Sequence, residues 1–486
     1  MTKKTFEEII AEQGKLIYTH VGDSMAPLLM PRDLLVIKPL SRPPQINDIP
    51  LYKRDSGQYV LHRIVGIKDG DYITRGDNRS EAEFGVKKLQ IIGVLSDIIR
   101  GGETVPVAEA TKRLLLKTTL DLVYLVSCAV NGEKPSAQRC AEMNLFQVYR
   151  MARMHFLTAA AAFALEQVTE LPHAFDQAKK KAIRKQALFD IERNNVLREF
   201  DKAGIWYLPL KGILLKDCYP KSAMREMNDN DILCDSTKKT EIREIMARFG
   251  YTCEIKEEYI HDNYSKPPTL EFEMHSALFC ETDDPMLAEY FKDISHRLTA
   301  DSRQPCLRHM TDEDLYIYLL CHIYKHYSHS GTGLRSLLDI YLFNREYADR
   351  INREAVEKEL SALGLTEFEQ ETRELSEKLF TCQTLNDEET EQLILFAESG
   401  VNGTPERAEY QHMMRALDGN DSKEAKRKYL LRRVFVPIDS LKKTYPVVYR
   451  HKFLYPALIV YRPIKGLFTH PKGILKEFKT VRRFKK

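Results

Sequence analysis

Two carboxylates one residue apart offer the clearest chemistry in this chain. In Arg225-Glu-Met-Asn-Asp-Asn-Asp-Ile-Leu233, Asp229 and Asp231 stand at the head of an apolar run that reads as a strand. Side chains alternate across a strand, so both acids project from one face. Acids so paired suit a hard divalent cation that must also hold nucleotide phosphates. A later run, Leu270-Glu-Phe-Glu-Met-His275, places Glu271, Glu273 and His275 on one face by the same alternation and offers a third acid. Upstream, Leu208-Pro-Leu-Lys-Gly-Ile-Leu-Leu215 ends a strand in Lys211-Gly212 and begins a helix. An Asp-X-Asp pair alone is common in solvated turns; the Lys-Gly turn before it and the Glu-X-His strand after it lift it above that reading. His322 and His326 lie one helical turn apart and read as ordinary helix-face histidines rather than ligands.

A second set of residues lies near the N-terminus. Ser24 follows a glycine-containing turn in Gly22-Asp-Ser-Met-Ala-Pro-Leu-Leu29, His62 sits in Val60-Leu-His-Arg-Ile-Val65, and Asp77 in Tyr72-Ile-Thr-Arg-Gly-Asp-Asn-Arg79. A serine hydroxyl is a poor nucleophile until a base takes its proton, and an imidazole titrating near neutrality does this well. A carboxylate would then hold the imidazole in the right tautomer.

The elements that must position these groups differ in texture. Thr2 to Gln13 has helical periodicity. From Lys15 to Ile99 short β-rich runs follow one another (LIYTHV, DLLVIKP, YVLHRIVGI, DYITRGD, LQIIGVLSDII), with prolines between or beside them. That pattern suits a small bent barrel or sandwich better than a parallel α/β sheet. Arg100-Gly-Gly-Glu-Thr-Val-Pro106 closes this texture. Long helical patterns come next, Lys179–Ala203 the clearest. A second mixed region carries strands IWYLPL, DILC, YTCEIK and TLEFEMHSALF and a helix over Thr237–Phe249; beyond Asp312 the signal is helical to about Arg433. The expected architecture is multi-domain α+β: an all-β domain over 1–105, a helical connector over 106–139, an α/β site domain with a large helical annex over 140–422, and a basic aromatic tail over 423–486.

At 486 residues the chain is too long for one core. Its composition, 43% hydrophobic and 29% charged, excludes collagen-like and low-complexity classes. The formal net charge of +3 is a cancellation. Lys423–Lys486 holds about 19 basic and 3 acidic side chains, a net of about +16 against about −13 for the rest. Nine scattered cysteines without a CxxC argue for reduced thiols in a cytosol and against a cysteine zinc site. MTKKTFEEIIAEQGK lacks the apolar core of a signal peptide. No run reaches the roughly 18 uncharged apolar residues of a spanning helix. Leu114–Val130, interrupted by Lys117 and Asp121, reads as a core helix.

Two resemblances follow from these motifs. GxSMxP, then HRIV after a strand, then GDNR resembles the signal peptidase I and SOS-repressor (LexA-like) serine peptidase superfamily, closest to the branch with His as base, over roughly residues 15–100. It implies a compact all-β peptidase fold with Ser24 as nucleophile and His62 as general base. For the orienting carboxylate it offers Asp77, or an acid a few residues further on, where Glu81 and Glu83 lie. Gly22 stands where the bacterial enzymes carry an oxyanion-binding serine, leaving that task to backbone N–H groups. The strand–KG–helix, R…DxD and ExH ensemble, over roughly 140–430, resembles the nucleotidyltransferase superfamily, specifically its uncharacterised bacterial family with a helical annex. This resemblance implies Mg²⁺ on Asp229, Asp231 and Glu273. It also implies a nucleoside triphosphate as substrate, phosphate cradled by the Gly212 amide, and charge neutralised by Lys211 and Arg225. Lys-Gly replaces the superfamily's usual Gly-Ser.

Together the resemblances imply a cytoplasmic bifunctional enzyme, a serine endopeptidase acting on a peptide or protein and a Mg²⁺-dependent nucleotidyltransferase. The alternative is a regulatory or binding protein that keeps one or both folds without catalysis. The tail, where basic residues mix with Phe435, Tyr445, Tyr449 and other aromatics, fits an anionic membrane surface, a nucleic acid or a solvated arm.

Overall fold

The computed structural model describes residues 4–254, 260–281, 284–401 and 403, together with 450, 455, 458 and 459. Apart from those four residues, the basic tail lies outside the described residues. The chain forms two compact units: residues 1–128, 133–153 and 164–174 make the first, and 129–132, 154–163 and 175–486 the second. The architecture is mixed α+β, β-rich toward the N-terminus and helical toward the C-terminus.

In the first unit, α1 (Phe6–Gln13) opens with a capping box between Thr5 and Glu8 and stops at Gly14, whose φ of 70° only glycine adopts freely. Nine strands follow: β1 (Leu16–Thr19), β2 (Leu34–Lys38), β3 (Pro50–Lys53), β4 (Tyr59–Leu61), β5 (Arg63–Lys68), β6 (Asp71–Arg75), β7 (Glu83–Val86), β8 (Ile91–Arg100) and β9 (Glu103–Pro106). One antiparallel sheet runs β1-β2-β8-β3-β4 with β9 on β8; a second runs β5-β6-β7. Register shifts between Val36 and Ile37 and between Leu51 and Tyr52 bend the strands at the centre of the larger sheet. Leu35, Ile37, Leu51, Leu61, Leu95 and Ile98 pack there on Met25 and Leu29.

Helix α2 (Val107–Asn131) is, among the described residues, the one helix long and apolar enough to cross a membrane by length and composition, and it does so with Lys117 and Asp121 inside the apolar run, in keeping with its reading as a core helix. Its interrupting charges, Lys117 and Asp121, pair across one helical turn at 2.8 Å, and most of the apolar window is buried in protein. Short helices α3 (Ala137–Ala141), α4 (Leu145–Met154) and α5 (Thr158–Leu165) precede the 31-residue α6 (His173–Ala203).

The sheet of the second unit orders β10 (Tyr207–Pro209), β11 (Asn230–Cys234), β14 (Leu270–His275), β13 (His261–Lys266) and β12 (Thr252–Glu254). Among its described strands β11 and β14 run parallel and the other pairings are antiparallel. Every residue of β11 is buried, as a central strand covered on both faces requires. Phe189, Val196 and Phe200 of α6 pack with Ile242, Ile245 and Met246 of α8 (Lys239–Arg248) and with Ile232 and Phe272 of the sheet. The four-residue α7 (Gly212–Leu215) leaves β10. After α9 (Pro285–Tyr290) and the two-residue strands β15 (Thr299–Ala300) and β16 (Arg308–His309) come α10 (Asp312–His329), α11 (Leu334–Tyr347), α12 (Arg353–Ala362), α13 (Thr366–Phe380) and α14 (Asp387–Ser399). Leu315, Leu319 and Ile323 of α10 share one core with Leu208, Leu215 and Leu233, which sets this helix beside the sheet.

Candidate functional site

The parallel pairing of β11 with β14 sets Asp231 directly beside Glu273. Asp229 lies one residue before β11, and no described residue hydrogen-bonds its carboxylate. Burial, then the neighbouring charges of Asp231 and Glu273, push the Asp229 carboxyl up to about 7. Asp231 goes the other way. Burial works to raise it, but the Lys211 ammonium and a hydrogen bond from His275 outweigh burial and hold it well below the usual carboxylate range. Lys211 Nζ stands 2.8 Å and His275 Nε2 3.0 Å from Asp231 Oδ1. Asp229, Asp231, Glu273 and Lys211 are therefore neighbours.

Lys211 reaches this position through a strained backbone: φ is 43° and ψ −112° at the residue before α7. Gly212 follows it and is required for space. A Cβ there would meet Arg225 Nη1 at 2.4 Å. Arg225 itself is buried, its guanidinium forked onto Asp339 of α11 at 2.9 and 2.8 Å, and Tyr219 donates a third hydrogen bond to the same carboxylate.

Other groups belong to this cluster, among them the two histidines whose spacing reads in sequence as that of ordinary helix-face residues. Tyr318, His322 and His326 of α10 lie within reach of the Lys211 and Asp231 charges. Burial, reinforced by the Lys211 charge, keeps both histidines neutral, His326 down at about 4. Lys185 of α6 and Arg335 of α11 both feel Asp229; burial lowers each, and Arg335 donates to the Glu226 carbonyl at 2.7 Å. His261 of β13 faces His275 across the strand pair. Helical spacing within α6 and α11 gives no hint of these long-range partners, and β13 carries little apolar alternation.

In the first unit, Ser24, His62 and the Gly-Asp-Asn-Arg turn come together. Asn78 N–H donates to the Ser24 carbonyl at 2.8 Å, and a Cβ on Gly76 would lie 2.5 Å from that carbonyl oxygen and 3.2 Å from His62 Nε2. The carboxylates have other partners. Asp77 is forked onto Arg63 at 2.8 and 2.7 Å. Glu83 takes Arg54 and the Tyr52 hydroxyl, the latter at 2.7 Å. Nδ1 of His62 is buried and has no hydrogen-bond partner. Burial lowers the imidazole, opposed by the Glu83 charge.

Residues 142–381 match a family model described as an uncharacterised nucleotidyltransferase. The match supports a nucleotidyltransferase-family domain in that part of the chain, which contains Lys211, Asp229, Asp231 and Glu273. No family match covers the N-terminal β-rich region, and the expected serine endopeptidase has no support from it. No curated protein and no solved structure matches the chain.

Proposed function

We propose that the domain over 142–381 transfers a nucleotidyl group from a nucleoside triphosphate to an acceptor, at the site built on Asp229, Asp231 and Glu273. The observation that carries this reading is the carboxyl of Asp229, raised by burial and by two neighbouring acids with no hydrogen-bond donor to relieve it. Crowded carboxylates of this kind fit a hard dication such as Mg²⁺, which Asp229, Asp231 and Glu273 would hold. When bound, the ion would supply Lewis-acid stabilisation of charge on the phosphoryl oxygens. In the transfer, an acceptor oxygen forms a bond to the α-phosphorus while the α–β bridging P–O bond breaks. Pyrophosphate leaves with that electron pair, and the acceptor's proton passes to a base. Lys211, Lys185 and Arg335 supply positive charge beside the acids, where a triphosphate would need it.

The test is binding of Mg–nucleotide to the full chain. Asp229→Asn with Asp231→Asn should abolish it, whereas wild-type affinity in the double variant would end the reading.

For the first unit, the pairing of Asp77 with Arg63 and of Glu83 with Arg54 favours the second reading: a peptidase-like β fold serving as a binding or regulatory module. Without an orienting carboxylate, His62 has nothing to fix its tautomer for proton transfer from Ser24.

A further inference from the structure

Two imidazoles on the site sheet have no part in the transfer chemistry above. His261 of β13 and His275 of β14 are direct antiparallel partners, their ring centroids 4.9 Å apart. Glu273 stands two residues before His275, on the same face by strand alternation, and its Oε2 lies 3.5 Å from His275 Nε2. One donor atom from each of the three residues lies within 4.8 Å of the other two.

His275 shows how this corner is set up. Its Nε2 meets the Asp231 carboxylate, which only accepts, so Nε2 carries the proton. In the neutral form of the ring the lone pair is then on Nδ1, and Nδ1 is buried with no hydrogen-bond partner. Leaving such a group unsatisfied forfeits its hydration without return. Asn263, opposite Glu273 on β13, also has a buried Oδ1 without a donor. Unsatisfied acceptors beside a carboxylate ask for a cation. A histidine steered by a carboxylate through one nitrogen is also how metal-binding imidazoles are commonly fixed.

We propose that His261, Glu273 and His275 form a binding site for an imidazole-preferring first-row dication of the zinc class. Two nitrogens and one carboxylate oxygen suit such an ion, whereas Mg²⁺ favours an all-oxygen shell. Around a tetrahedral ion with bonds of ~2.0–2.1 Å, donors stand roughly 3.3 Å apart, so side-chain rotation must draw the donors closer than the 4.8 Å within which they lie. The site shares Glu273 with the carboxylate set but does not need Asp229, so the two readings fail separately.

The test uses the full-length protein, stripped with a chelator and titrated with Zn²⁺ in excess Mg²⁺. Bound zinc is counted by elemental analysis after desalting, and Co²⁺ substitution is followed by its visible absorption. One equivalent should be retained by wild type and by Asp229→Asn, and His261→Gln should weaken binding at least about tenfold. No retained zinc in wild type, or undiminished binding in His261→Gln, overturns the inference and leaves the Mg–nucleotide result standing. If the variant fails to fold, wild type still decides the matter. Zinc must protect His261 from diethylpyrocarbonate, mapped by mass spectrometry, while the exposed His309 reacts as before. An unprotected His261 refutes the site.

Discussion

Replacing Arg225 with methionine should destabilise the second unit by about 3–5 kcal/mol, the usual result of removing one partner from a buried ion pair. The structure gives an overlapping range, about 3–6 kcal/mol, by another route. Arg225 makes two charge-assisted hydrogen bonds to Asp339, at 2.9 and 2.8 Å, and each is worth about 1.5–3 kcal/mol. Both side chains are only 6% exposed, so water cannot replace the lost donor, and among the described residues the Tyr219 hydroxyl alone still hydrogen-bonds the carboxylate. The second half of the cycle separates pairing from packing: Arg225→Met with Asp339→Leu should recover part of that loss, since an apolar pair leaves no stranded charge, and should fall short of wild type by about 1–3 kcal/mol because the Tyr219 hydroxyl loses its acceptor. Urea unfolding read by Trp206, the sole tryptophan, reports this unit specifically, because Trp206 packs on the core that α10 and α12 share. If the single variant unfolds within about 1 kcal/mol of wild type while its Mg–nucleotide affinity collapses, Arg225 serves phosphate and the structural reasoning is wrong. A double variant no more stable than the single would equally refute the pairing.

Two further outcomes are expected. His155 is fully buried, accepts the Leu334 N–H at Nδ1 and donates from Nε2 to the Ala397 carbonyl, and burial lowers it to about 4. Between that value and the unfolded pKa of about 6.5 the unfolded chain binds more protons. Stability is therefore complete above about pH 6.5 and falls by about 3 kcal/mol as pH drops to 4; urea midpoints at pH 7 and pH 5, with His155→Gln as the flatter control, measure it. A serine-directed phosphonate probe should label wild type no more than Ser24→Ala, and selective labelling of Ser24 would restore a peptidase reading.

Strand alternation made the acidic site legible. Period 2 within β11 and β14 is a local property that a sequence displays, and the pairing of the two strands then sets Asp231 beside Glu273. What stayed hidden depends on pairing across distance. β13, His-Asp-Asn-Tyr-Ser-Lys, has one buried residue, Tyr264, and so carries no apolar alternation, yet it pairs with both β12 and β14 and brings His261 to His275. Arg225 looked like a phosphate ligand because its partner, Asp339, lies 114 residues away. Asp77 and Glu83 sat at suitable spacing from His62, but spacing does not reveal that Arg63 and Arg54 hold them.

The path of the chain has a practical corollary for modularity. Residues 129–132 and 154–163 belong to the second unit although the stretches flanking them belong to the first. A gene fragment beginning at 175 would omit His155, leaving the Leu334 N–H and the Ala397 carbonyl without their buried partner. The two halves are thus interleaved along the polypeptide, and a single cut or fusion joint cannot inherit either one whole.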